Sequence, residues 1–367
     1  MSAISSAGNA VNTPALPWRR ANVRHTSNEL YVDLIETLSV TLAPSGRPLA
    51  AFANGTIACT SKISGVPDLL LNLSTPSGRQ NVSSVIELPV FHPCVRLARW
   101  REKPGELSFI PPDGRFVLAG YGVDLLPFQN GKSGTTSSSS LKLPVNLEVK
   151  TSLGPTGSDF EVRLFITKVS GHGNSSSGGS SSRSSSHVGI RGSSASPILE
   201  DLVVSLPLPS DVRNLSEIKA SRGDTTYNPG ENNLEWHIPA KEAQTGGATL
   251  RCTVVGPLSD DDDFEGNGFK LDGSYDYDEQ PYQSESVKTV KPETIEQKDE
   301  RKVAQNKILM PSSANVSFLV KGWLASGIRV ESLIIDTRKS RGLGDSVRPY
   351  KGVKYLTVSK GGVEIRC

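Results

Sequence analysis

The sequence predicts an all-β fold of sandwiched sheets, and three features predict it. Apolar and polar residues alternate with period two in run after run. Gly, Pro, Asn and Asp punctuate these runs at short, near-regular intervals. No sustained 3.6-residue apolar period accompanies them. Short alternating strands between turn residues bury one face each, and two such sheets stacked face to face are the simplest way to cover those faces.

Glu29–Leu42 is the clearest strand. Leu30, Val32, Leu34, Leu38, Val40 and Leu42 fall on one face; Tyr31, Asp33, Ile35, Thr37, Ser39 and Thr41 fall on the other. Glu36 is the one charged residue on the apolar side. Ser45-Gly46 is a turn signal and Asn54-Gly55 a stronger hairpin signal, so a meander of Leu30–Leu42, Pro48–Ala53 and Thr56–Ser61 is expected. Pro111-Pro112-Asp113-Gly114 predicts a tight turn closing a second hairpin between Leu107–Ile110 and Arg115–Tyr121. Further strands are expected over Leu141–Leu153, Asp159–Val169, Leu199–Leu208, Asn214–Ala220, Leu234–His237, Ala248–Val255, Ala314–Leu324, Ile328–Ile335, Gly352–Val358 and Gly362–Arg366. Residues 1–15 read as a flexible leader and Asn130–Ser140 as a linker. The Ser/Gly tract at about 170–196 and the acidic, polar stretch at about 258–306 are too poor in apolar residues to order themselves, and read as flexible inserts between strands.

Composition narrows the function. Across 367 residues, 40 Lys and Arg stand against 38 Asp and Glu, and a formal charge of +2 argues against a general nucleic-acid binder. The four cysteines, Cys59, Cys94, Cys252 and Cys367, show no C-x-x-C spacing and no nearby His at zinc-ligand spacing, so reduced thiols and no metal are expected. No apolar run reaches the roughly 18 residues that span a bilayer, and the N-terminus lacks an apolar signal core, which predicts a cytoplasmic protein whose membrane contact is peripheral. No nucleophile, nucleotide or metalloprotease motif occurs in a strand–helix context. His92 and Cys94 lie two apart, but a structural pair beside Pro93 is the favoured reading over a nucleophile. A binding protein without cofactors is expected, not an enzyme.

Several spaced segments carry a resemblance. They are Trp18-Arg19-Arg20, the run Asn28–Glu36, Ser64-Gly65-Val66-Pro67-Asp68, Phe91–Leu97 and Leu107–Gly114. In combination they resemble the mu-homology domain, the cargo domain of the medium chains of clathrin-type adaptor complexes. Ala325–Val330 and Pro349–Thr357 resemble most closely the mu subunits of the third, delta-containing complex. The resemblance is good over about 16–128 and 311–367 and weak between. It implies an elongated pair of β-sandwich subdomains, the second inserted into the first: 16–128 plus 323–367, and 129–322. It also implies a role on Golgi and endosomal membranes and vesicles, with other adaptor subunits and the cytosolic tails of transmembrane cargo as partners. The resemblance does not extend to the longin-like N-terminal domain that full medium chains have.

The family recognises Tyr-x-x-Φ signals, where Φ is a bulky apolar residue. Residues three apart in an extended peptide point to opposite sides, so the two anchors need pockets on either side of an edge strand. Carried over by position, the tyrosine pocket would hold Tyr31, Asp33 and Tyr355, with Asp33 accepting the phenol proton. The Φ pocket would be lined by Leu30, Val32, Val330, Leu333 and Leu356. Relatives place a Lys and an Arg around the tyrosine; Thr60 and Thr357 are expected at those positions here. With no base near Asp33, a phosphotyrosine would be rejected. Lys62, Arg96, Arg99, Arg101 and Lys103 form a basic set that could touch anionic phosphoinositide head groups, although surface solvation is the favoured reading. The competing reading is a mu-homology scaffold that binds other protein partners without recognising tyrosine signals.

Overall fold

A computed structural model of the protein describes residues 16–20, 22–75, 82–126, 141–169, 191–192, 196–243, 246–257, 295–344 and 348–367. The expected leader, the linker at 130–140 and most of the two inserts lie outside the described residues. The strands in chain order are β1 (Glu29–Leu42), β2 (Pro48–Lys62), β3 (Leu69–Ser74), β4 (Glu87–Phe91), β5 (Glu106–Phe109), β6 (Gly114–Asp124), β7 (Val145–Leu153), β8 (Asp159–Ile166), β9 (Arg191–Gly192), β10 (Ile198–Pro207), β11 (Asn214–Ala220), β12 (Asp224–Asn228), β13 (Asn233–Ile238), β14 (Gly246–Val255), β15 (Ser313–Lys321), β16 (Arg329–Ile335) and β17 (Tyr350–Arg366). Three helices accompany them: α1 (Val82–Val85), α2 (Leu97–Glu102) and α3 (Ile295–Ile308). The fold is all-β.

A large sheet runs in the order β12-β13-β10-β15-β17-β1-β2-β6-β4, with β9 added beside β17. A four-stranded sheet, β11-β14-β8-β7, and a three-stranded sheet, β16-β3-β5, complete the architecture. The apolar faces of all three sheets feed one buried cluster, which reaches from Leu30, Val32 and Leu34 to Phe160, Trp236 and Phe318. The expected subdomain boundaries fall between β6 and β7 and just after β15, and the large sheet runs through both.

Period-two alternation places β1 as expected: Leu30, Val32, Leu34, Leu38 and Val40 are buried and their neighbours are not. Three expectations need correction. β2 passes straight through Asn54-Gly55, with Asn54 opposite Thr37 and Gly55 opposite Glu36, so no hairpin forms there. Pro111–Gly114 does not close a hairpin either. β5 pairs with β3 and β6 with β2 and β4, so the turn carries the chain from one sheet to another. Within the acidic stretch, α3 is a helix whose Asn306 side chain donates to the Thr156 carbonyl (2.9 Å).

Gly55 is explained by what it faces. A Cβ there would lie 2.0 Å from the Tyr121 ring. The ring crosses the strand at this point to donate its hydroxyl to Glu36 Oε1 (3.0 Å). Glu36 is fully buried, and it also accepts from the backbone N–H of Ser326 (3.1 Å) and from the Ser326 hydroxyl. Burial pushes its carboxyl up from the ordinary value, and the Ser326 and Tyr121 donors oppose that push. The charged residue on the apolar face is therefore a tie between β1, β6 and the loop that leads into β16. Gly55→Ala is expected to displace Tyr121 and destabilise the fold by about 1–3 kcal/mol, read as a lower denaturation midpoint in urea.

Candidate functional site

In-register partners on neighbouring strands share a face, so pairing decides which side chains meet. β1 runs parallel to β17, with Tyr31 opposite Gly352, Asp33 opposite Lys354 and Ile35 opposite Leu356. On its other side, Tyr31 lies opposite Thr60 and Asp33 opposite Ala58. Thr60 in turn lies opposite Arg115 of β6. One face of the large sheet thus collects Tyr31, Asp33, Ile35, Thr60, Arg115, Lys354 and Leu356. Tyr350, two residues before Gly352, joins them; its ring lies 5.8 Å from that of Tyr31, tilted by 52°. Gly352 makes this possible, because a Cβ there would come within 2.9 Å of Tyr31 Cδ1. Desolvation and the neighbouring Glu29 raise the Tyr31 phenol above its ordinary value. A cavity of about 510 Å³ opens on this face, lined among others by Asp33, Ile35, Arg115, Ile198, Lys321 and Lys354.

The opposite face carries Leu30, Val32, Val353, Tyr355 and Thr357. Leu30 and Val32 are fully buried, and Val353 and Leu333 nearly so. This face packs against β16, which pairs with β3 along one edge only. Two β17 side chains meet backbone groups of β16: Tyr355 Oη accepts from the Val330 N–H (3.0 Å), and Lys351 Nζ donates to the Leu333 carbonyl (2.7 Å). Desolvation pulls the Lys351 ammonium below its ordinary value and pushes the Tyr355 phenol up. Thr357 is fully buried, and its hydroxyl donates to the Trp323 carbonyl (2.8 Å).

The structure therefore places Tyr31, Asp33 and Thr60 on one sheet face and corrects four expectations. Tyr355 and Thr357 point away from Asp33, into the interior, because they sit at odd spacing from Lys354. Leu356 lies on the Asp33 face, and Val353 takes the apolar place expected for it beside Leu30, Val32, Val330 and Leu333. The strand beside the site that is only lightly paired on one side is β17, which meets just the two residues of β9 ahead of its β15 ladder, and not β1, which lies between β2 and β17. Finally, bases do stand near Asp33, since Lys354 is its cross-strand neighbour and Arg115 lines the same cavity. The premise for rejecting a phosphotyrosine is gone. Tyr350, Gly352, Lys354 and Arg115 were missed. The β1–β17 register, which joins residues more than 300 apart, reveals the first three, and the β2–β6 pairing reveals Arg115.

Four of the five residues of the basic set stand beside carboxylates, and Arg101 is exposed in the last turn of α2. Arg96 forks onto Asp68 (3.0 and 2.5 Å), Arg99 meets Glu106 (2.7 Å), Lys103 reaches the same carboxylate (4.0 Å) and Lys62 lies 3.9 Å from Glu29. His92 Nδ1 accepts from the Cys94 backbone N–H (3.1 Å), and burial pushes the Cys94 thiol up to about 12, which suits a structural pair. Among the described residues no cluster of His, Cys, Asp or Glu could hold a metal ion, and no helix is long and apolar enough to cross a membrane.

Comparison with known proteins supports the fold and gives the family. The family model described as "Adaptor complexes medium subunit family" matches residues 16–367. The rat AP-3 complex subunit mu-2 is 30% identical over 344 residues, which is 93% of this chain and 59% of the relative. The human AP-3 complex subunit mu-1 is 35% identical over 161 residues, 42% of this chain and 37% of the relative. A homology model of the full-length AP-3 complex in an intermediate open conformation shares the fold, with a TM-score of 0.53 at 20% identity over 93% of this chain and 69% of that one. The chain thus spans just over half the length of the mu-2 relative. It belongs to the adaptor complexes medium subunit family.

Proposed function

We propose that this chain binds Tyr-x-x-Φ signals in the cytosolic tails of transmembrane cargo, as the recognition part of an AP-3-like adaptor acting on Golgi and endosomal membranes. The observation that carries the reading is the two-sided surroundings of β17 at Gly352–Lys354. Among the described residues β15 pairs with β17 only from Leu356 onward, and ahead of the Gly322-bonded Tyr355 carbonyl this side of β17 meets only the two residues of β9, so an added strand has room there once β9 is displaced. A peptide added there directs alternate side chains to the two faces. On one face a tyrosine would reach Tyr31, Tyr350 and the Asp33 carboxylate. On the other, Φ would press toward Leu30, Val32, Val353, Val330 and Leu333. The chain acts here by binding and not by catalysis, and other adaptor subunits would hold it at the membrane.

A short tail loses much of its contact energy to ordering, so dissociation constants on the order of 1–100 μM are expected. Stable recruitment would then come from several simultaneous membrane contacts. Fluorescence polarisation with a labelled Tyr-x-x-Φ peptide tests this. Saturable binding that a Tyr→Ala peptide lacks is the expected result. Equal binding of both peptides, or of neither, would leave a scaffold that recognises other partners.

A further inference from the structure

The open stretch of β17 is not bare in this chain. β9, the backbone of Arg191–Gly192, runs parallel to β17 there, with Arg191 opposite Gly352 and Gly192 opposite Val353. The strand comes from the Ser/Gly insert, a part of the chain for which the resemblance offered no role. We propose that this insert carries a built-in competitor: Arg191–Gly192 occupies the strand position that a cargo tail needs, so the site is partly self-covered until the segment is displaced. The inference rests on the tail-binding reading above.

Two observations support it beyond the pairing itself. First, among the described residues β9 alone pairs with β17 on that side ahead of the β15 ladder, and it pairs at the glycine and valine between the two anchor faces. Second, the chain just after it is fixed beside the cavity. Ser196 and Ile198 line the same space as Asp33 and Lys354, and Ile198 pairs with Lys321 at the start of β10. Ile198 is six residues on from Gly192, a reach of about 20 Å when extended. So short a tether keeps the strand at a high local concentration next to its edge. A two-residue ladder supplies few hydrogen bonds, each of modest net value, so the cover is weak enough for a longer peptide to displace. The apparent affinity for a tail falls by the fraction of molecules that are open.

Arg191→Pro/Gly192→Pro keeps the insert at its natural length and removes both backbone donors. Hydrogen–deuterium exchange of the full chain, read on residues 350–355 without any peptide, should speed up in the double variant. Its affinity for a Tyr-x-x-Φ peptide should rise by about three- to tenfold. Unchanged exchange would overturn the pairing, and with it the inference. Faster exchange with unchanged peptide affinity would overturn the competitor role. Faster exchange with no peptide binding by either protein would leave the covering strand in place, refute its role as a competitor for tails, and separately sink the tail-binding reading.

Discussion

Arg19→Ala is expected to lower the stability of the fold by about 3 kcal/mol, as three buried carbonyls lose a charged donor at once. Arg19 is 2% exposed, and its guanidinium donates to the carbonyls of Ile63 (2.5 Å), Gly65 (2.7 Å), Pro111 (2.9 Å) and Pro112 (3.4 Å). Guanidinium has five donors and no acceptor, so a ring of carbonyls is a natural partner for it when buried. Burial pulls its pKa down from the ordinary value while Asp113 opposes, and the group stays charged. Trp18 adds a bond from Nε1 to the Ile110 carbonyl (2.9 Å). The two side chains fasten the segment ahead of β1 onto the Pro111–Gly114 crossover and the end of β2. Arg19→Lys keeps the charge but not the fork, and should recover only part of the loss. Urea denaturation of both variants checks this. A loss below about 1 kcal/mol for Arg19→Ala would mean that water replaces the guanidinium at these carbonyls.

Asp33→Ala is expected to weaken Tyr-x-x-Φ binding by about 10- to 100-fold, the value of one charge-assisted hydrogen bond to the incoming phenol. From 1–100 μM that takes the dissociation constant to between about 10 μM and 10 mM. Asp33 lies on the cavity face of β1 and not in the core, so its removal should leave the denaturation midpoint within about 0.5 kcal/mol of the parent. Isothermal titration calorimetry checks the binding, and Arg96→Ala, remote from this face by sheet position, serves as the control. Lys354 is the cross-strand neighbour of Asp33, so its replacement by Glu should weaken binding of peptides with acidic residues beside the tyrosine more than that of neutral ones.

Much of this fold was legible in the sequence because one-sided burial writes itself as alternation. β1, β11, β13 and β14 are placed to within two residues by that pattern. β3 and β4 were missed for a related reason. β3 is buried on both faces and reads as a plain apolar run, and β4 is a short edge strand interrupted by Pro89. Asn54-Gly55 misled because a glycine needed to clear an aromatic ring looks the same as a glycine needed for a turn. The site was half legible. Periodicity alone put Tyr31 and Asp33 on one face, and the family resemblance supplied Thr60, whose place opposite Tyr31 requires β2 to run straight through Asn54-Gly55. Tyr355 and Thr357 were assigned to the wrong face because a parallel pairing between β1 and the end of the chain has no connecting turn to fix its register. Any odd slip there turns every side chain over, which put Tyr355 and Thr357 on the Asp33 face in place of Lys354, and Leu356 beside Leu30 and Val32 in place of Val353, three residues earlier.

The position of the bound tyrosine is the most direct test of the account. A Tyr-x-x-Φ peptide carrying a photoreactive tyrosine that keeps its phenol hydroxyl can be cross-linked to the full chain and the adduct mapped by mass spectrometry. Adducts on residues 31–35 of β1 and 350–356 of β17, lost with Asp33→Ala, are the predicted result. Adducts confined to other strands, or undiminished in Asp33→Ala, would contradict it.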